Sequence, residues 1–143
     1  MGENVSVARL TNQLAHYTGD EQYKTLALHA MKYLVSLNND QYFSGPLIAA
    51  DELAADPAHI TVVGAKSDPA ALALYLQALR YPVVYRRIEW WDMTEGAMPN
   101  IDVKYPTLNR AAAFVCANGA CSVPIFEPAK ITAKADLLLS SGK

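Results

Sequence analysis

Cysteine is scarce in this chain, with only Cys116 and Cys121 among 143 residues. That scarcity excludes a small disulfide-stapled scaffold, and the length suits one domain able to bury a sizeable core without staples. No apolar run is long enough to cross a bilayer, and the mean hydropathy is only +0.05, so a soluble chain without a membrane partner is expected. An excess of positive charge is missing too. Twelve basic side chains face fourteen acidic ones, scattered except for Arg86 and Arg87, which leaves no electrostatic footprint for nucleic acid. The two cysteines and His16, His29 and His59 stand at irregular distances that match no zinc spacing. Neither a metal nor a cofactor is expected. Internal repeats and low-complexity tracts are absent.

The opening "MGENVSVARL" lacks the basic stretch and apolar core of a secretory signal. Met1-Gly2 directly precedes a helix start and reads as the opening of an excised segment, so Met1 need not be the native start. The compartment stays open, with the cytoplasm favoured over the periplasm.

What is present is a change of pattern near Asp56. Before it, periodicity is helical. Val7, Leu10, Leu14 and Tyr17 recur at three- and four-residue steps behind Asn4 as N-cap, and Gly19 ends that helix. Asp20 caps a second helix carrying Tyr23, Leu26, Ala27, Ala30, Met31 and Leu34, which "NND" stops; the pair forms an antiparallel hairpin. A third helix starts at Ser44 with Pro46 in its first turn. After Asp56, "ITVVGA" reads as a buried strand and "VVYRRIE" as a second. Between them lies a helix capped by Asp68 with Pro69 at its first position, which makes a right-handed βαβ unit with parallel strands. "WWDMTEGAMPNIDVKYPTLNR" reads as a long ordered loop with a binding or docking role. A short helix follows Pro128. The expected class is α/β (α+β): residues 1–56 a helical hairpin plus third helix, and residues 57–143 a small mixed sheet from a βαβ unit and a β-hairpin, closed by a C-terminal helix.

The hairpin is the segment "AAAFVCANGACSVPIF". Asn-Gly is the preferred centre of a two-residue type I′ turn, because both positions need positive φ. Cys116 and Cys121 then face each other on one side of the ribbon, in a pair lacking backbone hydrogen bonds with α-carbons roughly 4.5 Å apart. Three readings stay open: a structural pair (buried thiols or a cross-strand disulfide), a redox dithiol, or a metal half-site. Activation of a thiolate needs a helix N-terminus or basic neighbours, and the local sequence has neither.

"GENVSVARLTNQLAHYTGDEQY", "HITVVGAKSDPAALALYLQAL" and "RAAAFVCANGACSVPIFEPAKI" together resemble the C-terminal end of the YyaL-type, spermatogenesis-associated thioredoxin-domain proteins. The most specific match is an aromatic residue, Val-Cys, four residues, a second Cys and a Pro, carried by Phe114, Val115, Cys116, Cys121 and Pro124; "ANGA" replaces the bulkier residues common between the cysteines. The resemblance implies a thioredoxin-like domain and an α/α toroid similar to six-hairpin glycosidases elsewhere in the parent chain. This chain would then be a C-terminal fragment holding the toroid's last helices and a terminal α/β segment. Its expected function is that of a non-catalytic structural and interaction module, whose partner is the remainder of the parent chain or a second copy met through exposed helix faces. The alternatives are a thiol-disulfide module using Cys116 and Cys121, and part of a glycosidase- or epimerase-like enzyme. No catalytic residue carries over to a numbered position.

Three further sites are candidates. Gly64, Lys66 and Ser67 join a strand to a helix N-terminus, where amides hold anions, although one glycine is too few for a phosphate loop. Trp90, Trp91, Arg86 and Arg87 are candidate interface anchors. Asp92, Glu95 and Asp102 are carboxylates on one loop, the side-chain type that sugar hydrolysis employs.

Overall fold

The computed structural model describes residues 2–37, 44–117 and 119–140, which divide into two compact units, 1–56 and 57–143. The expected α/β class is what the structure shows: α-helices together with a four-stranded mixed sheet.

The first unit holds α1 (Gly2–Thr18), α2 (Glu21–Ser36) and α3 (Ser44–Ala54). Gly19, at φ 70, ends α1, and the Asp20 carboxylate caps α2 by accepting from Gln22 N at 2.8 Å. Asn4 lies inside α1 and does not cap it, because the helix already begins at Gly2. The expected stop at residues 38–40 lies outside the described residues. Mostly small side chains fill the interior of this unit, with Ala8, Ala27, Ala30 and Ala49 buried beside Leu34, while Leu10 and Leu47 are each 61% exposed. Alanine at the crossings lets the helix backbones approach closely and turns the longer residues outward. A buried Glu52 then ties α3 to α1: its carboxylate accepts two bonds from Arg9, at 2.8 and 2.7 Å, and its carbonyl accepts from Asn12 Nδ2 at 3.0 Å. These contacts raise the Arg9 pKa, chiefly through the hydrogen bond to Glu52.

The second unit is built on β1 (Ala58–Val63), α4 (Pro69–Leu79), β2 (Arg86–Trp91), β3 (Ala112–Ala117), β4 (Ala120–Cys121) and α5 (Lys130–Ser140). The sheet order is β2-β1-β3-β4. β1 and β2 run parallel with α4 between them in the chain, and the Asp68 cap and Pro69 start are as the sequence implies. β2 begins at Arg86 and not at Val83, because its ladder starts where β1 starts, at Ala58↔Arg86. It consequently contains both tryptophans, which the sequence assigns to the loop. One sheet face carries Ala58, Ile60, Val62, Ile88, Ala113 and Val115 and packs against Ala71, Leu74 and Ala78 of α4 and Ile131 and Ala135 of α5. On the opposite face Val63, Ala112 and Phe114 meet Trp91, Tyr105 and Leu108.

Candidate functional site

That second face also carries a polar chain, produced by strand register. His59 and Thr61 on β1 stand beside Arg87 and Glu89 on β2. His59 Nε2 lies 2.8 Å from Glu89 Oε2 and 2.8 Å from Thr61 Oγ1. Tyr105 OH donates to Thr61 Oγ1 at 2.8 Å. Arg87 NH1 donates to Asp102 Oδ2 at 2.6 Å, and its NH2 donates to the Asn100 carbonyl at 3.3 Å. Arg87 Nε sits 2.9 Å from Glu89 Oε2, close enough for an ion pair, although its N–H is not aligned into a hydrogen bond. An ionised carboxylate only accepts, so His59 Nε2 bears a hydrogen beside Glu89, and protonation of the neutral ring falls to Nδ1. Burial holds the Tyr105 hydroxyl up at about 12, and the Thr61 hydrogen bond acts against that shift.

On the other side of β1, the register partner of His59 is Cys116. Cys116 and Cys121 form a disulfide with α-carbons 4.0 Å apart. Ser122 N donates to the Val115 carbonyl at 2.7 Å. Because bonded and non-bonded pairs alternate along an antiparallel ladder, the cysteines occupy the non-hydrogen-bonded pair, as the hairpin reading requires. Gly119 takes φ 74; Asn118, the other expected turn residue, lies outside the described residues. Cys116 is 9% exposed and Cys121 is exposed. The neighbourhood is not purely apolar, as the local sequence implies, because β1 sets His59 in register with Cys116.

Comparison with family models, curated proteins and solved structures returns no match. The geometry of the side chains therefore carries the functional argument.

The candidate anion site is filled from within. Lys66 N donates to Asp92 Oδ2 at 2.8 Å, and Lys66 Nζ reaches Glu95 Oε2 at 2.5 Å. Gly64 N donates to the Trp91 carbonyl, while Ser67 is exposed next to the Asp68 cap. The Lys66 backbone amide, followed by the Thr94 hydroxyl and amide, holds the Asp92 pKa below its ordinary value. Asp92 caps a 3₁₀ turn at Met93–Glu95. With Asp102 on Arg87, each of the three loop carboxylates has a cation or amide partner.

The four candidate interface residues are engaged inside the unit. Arg87 is 1% exposed, which removes it as a surface anchor. Arg86 donates to the Tyr81 carbonyl. The Trp90 ring packs 5.0 Å from Tyr75 and its Nε1 donates to Gly64 O at 2.9 Å. Trp91 Nε1 donates to Gly96 O at 2.8 Å, and its ring lies 6.1 Å from Tyr105. A groove of about 340 Å³, lined by Trp91, Met98, Ile101, Val103 and Tyr105, lies along the loop. Sequence reasoning missed the joining of His59, Thr61, Glu89 and Tyr105. The available signal was polar residues two apart in "HIT" and "RIE", which put both pairs on one face of their strands.

Proposed function

We propose that this chain is a structural and interaction module, without catalysis of its own, that completes or caps a helical toroid in a larger thioredoxin-domain protein. The observation supporting this reading is the inverted partition of the helical unit. Alanines, with Leu34, supply its buried apolar residues while Val7, Leu10, Leu26, Leu47 and Ile48 are exposed. A unit that ends at this surface leaves apolar helix faces in water, and faces of that kind mark association sites. The occupant that fits is another helical hairpin: the preceding hairpins of the parent chain, or a second copy when those are absent. The resemblance of the three quoted segments points the same way. The sugar-processing alternative gains nothing from Asp92, Glu95 and Asp102, because each is already bound to a cation or an amide.

The test is molar mass by light scattering against protein concentration, for the wild type and for the L10K/L47K double variant. Association at micromolar concentration that the double variant abolishes with unchanged helical circular dichroism supports the module. A wild type that stays monomeric, and that does not bind the preceding hairpins supplied as a separate chain, overturns it.

A further inference from the structure

We infer that the Cys116–Cys121 disulfide is an exchange site for thiol compounds, opened by attack at Cys121 with Cys116 as the leaving sulfur and His59 as the group that returns a proton to it. A thiolate must approach the sulfur it attacks, and Cys121 is exposed on a two-residue edge strand whereas Cys116 lies 9% exposed within the sheet. Attack therefore has one open side.

Exchange is faster when the departing sulfur is stabilised as it leaves. Cys116 is in register with His59 on the adjacent strand, so the two side chains project from the same sheet face, with β-carbons about 5 Å apart in such pairs. The imidazole is held in place at Nε2 by Glu89 and Thr61. The charged and titratable groups on this face are Glu89 and Arg87 from β2 and Asp102 and Tyr105 from the loop at residues 96–110. Arg87 and Glu89 belong to β2, one strand further away, so His59 is the titratable residue in register with Cys116.

The chemistry balances with a thiol as the only co-reactant. The thiol ionises, its sulfur bonds to Cys121 Sγ, and the Cys116–Cys121 bond breaks with its electron pair on Cys116 Sγ. The proton lost by the attacking thiol returns to that sulfur through His59 Nδ1. A second thiol then attacks the mixed disulfide, releasing Cys121 as a thiol and the reagent as its own disulfide. The two cysteines are reduced and two thiols are oxidised. This site is separate from the helix faces of the proposed module, and the inference does not depend on that reading.

The experiment treats the folded, oxidised chain with glutathione, quenches with acid and alkylates with N-ethylmaleimide. Peptide mapping then locates each label. Glutathione on Cys121 with maleimide on Cys116, in about tenfold excess over the reverse, is the expected result. Equal labelling, the reverse pattern, or reduction only after unfolding overturns the proposal. The role of His59 is read in the wild type by following its imidazole through a pH titration by NMR in the oxidised and reduced forms. Titration at different pH in the two forms is expected, and identical curves overturn it. Where His59→Gln retains its circular dichroism, glutathione attack slows about fivefold or more, because the leaving sulfur has lost its proton source.

Discussion

Trp90 Nε1 donates to the Gly64 carbonyl across 2.9 Å, so the ends of β1 and β2 are joined by a side chain as well as by the ladder. Gly64 is also packed too closely on its α-carbon side to carry a side chain. A Cβ built there would lie 2.7 Å from Ala111 Cβ and 3.2 Å from Ala71 Cβ. Gly64→Ala should destabilise the second unit by about 1–3 kcal/mol, through overpacking. Chemical denaturation reads the change, and Gly2→Ala, with nothing within 4 Å, is the neutral control.

Arg87→Ala is expected to be among the most damaging single changes in the chain. It removes the guanidinium paired with a nearly buried Glu89 and with Asp102 together, leaving Glu89 only its contact with His59. Leaving one buried charge uncompensated costs about 3–5 kcal/mol. Asp102→Asn should cost far less, because its side chain is 42% exposed. A thermal melt that ranks the two variants the other way contradicts the network as described.

Two tyrosines should titrate late. Tyr81 rises from 10.0 to about 12 because it is buried and because its hydroxyl donates to Asp136 at 2.9 Å. Tyr105 rises to about 12 through burial. For a raised tyrosine the folded state favours the protonated form. Its contribution is full below pH 10 and is lost as pH climbs from there through 12. Ultraviolet titration of tyrosinate should show one late step missing in each of Tyr81→Phe and Tyr105→Phe. Tyr81→Phe should also lose about 1 kcal/mol at neutral pH with the hydrogen bond.

Asp92 gives the opposite dependence. Its folded pKa lies below the ordinary 3.8, so its stabilisation is present above that pH and disappears as pH falls through the folded value. Asp92→Asn should be less stable than wild type at pH 7, with the gap closing under acid. A gap that stays constant from pH 7 to the acid limit would show that the carboxylate charge does not contribute.

In the helical unit, Glu52→Ala removes the two-pronged contact with Arg9. The expected loss is about 1–3 kcal/mol, because the bond is charge-assisted on a nearly buried acceptor. Arg9→Lys should recover only part of the contact, since an ammonium cannot present the planar fork.

What was legible in the sequence was whatever is decided within a few residues. The caps at Asp20 and Asp68, the proline opening α4 and the pairing of Cys116 with Cys121 across an Asn-Gly turn each depend on local geometry. The His59 chain was hidden because it needs β1 set beside β2, thirty residues away, and then covered by Tyr105. Both faces of β1 are buried, so "AHITVV" reads as a uniformly interior strand and its polar alternation passes unnoticed. The start of β2 slipped for a related reason: Val83 and Val84 have strand propensity, but the partner strand does not extend far enough to bind them. On α1, the spacing of Val7 and Leu10 indicates a common face without saying whether that face turns inward, and the burial of Ala8, Thr11 and Asn12 shows that it does not.

The Asp92 carboxylate seated on the Lys66 amide has a consequence for any small solute drawn to that turn. A tethered competitor cannot be diluted away, so an incoming oxyanion would have to outcompete its effective concentration. It would also have to displace a group whose departure uncaps the following 3₁₀ turn. The bend after β1 thus has its amide satisfied by the protein's own carboxylate, which ties that bend to the turn after β2.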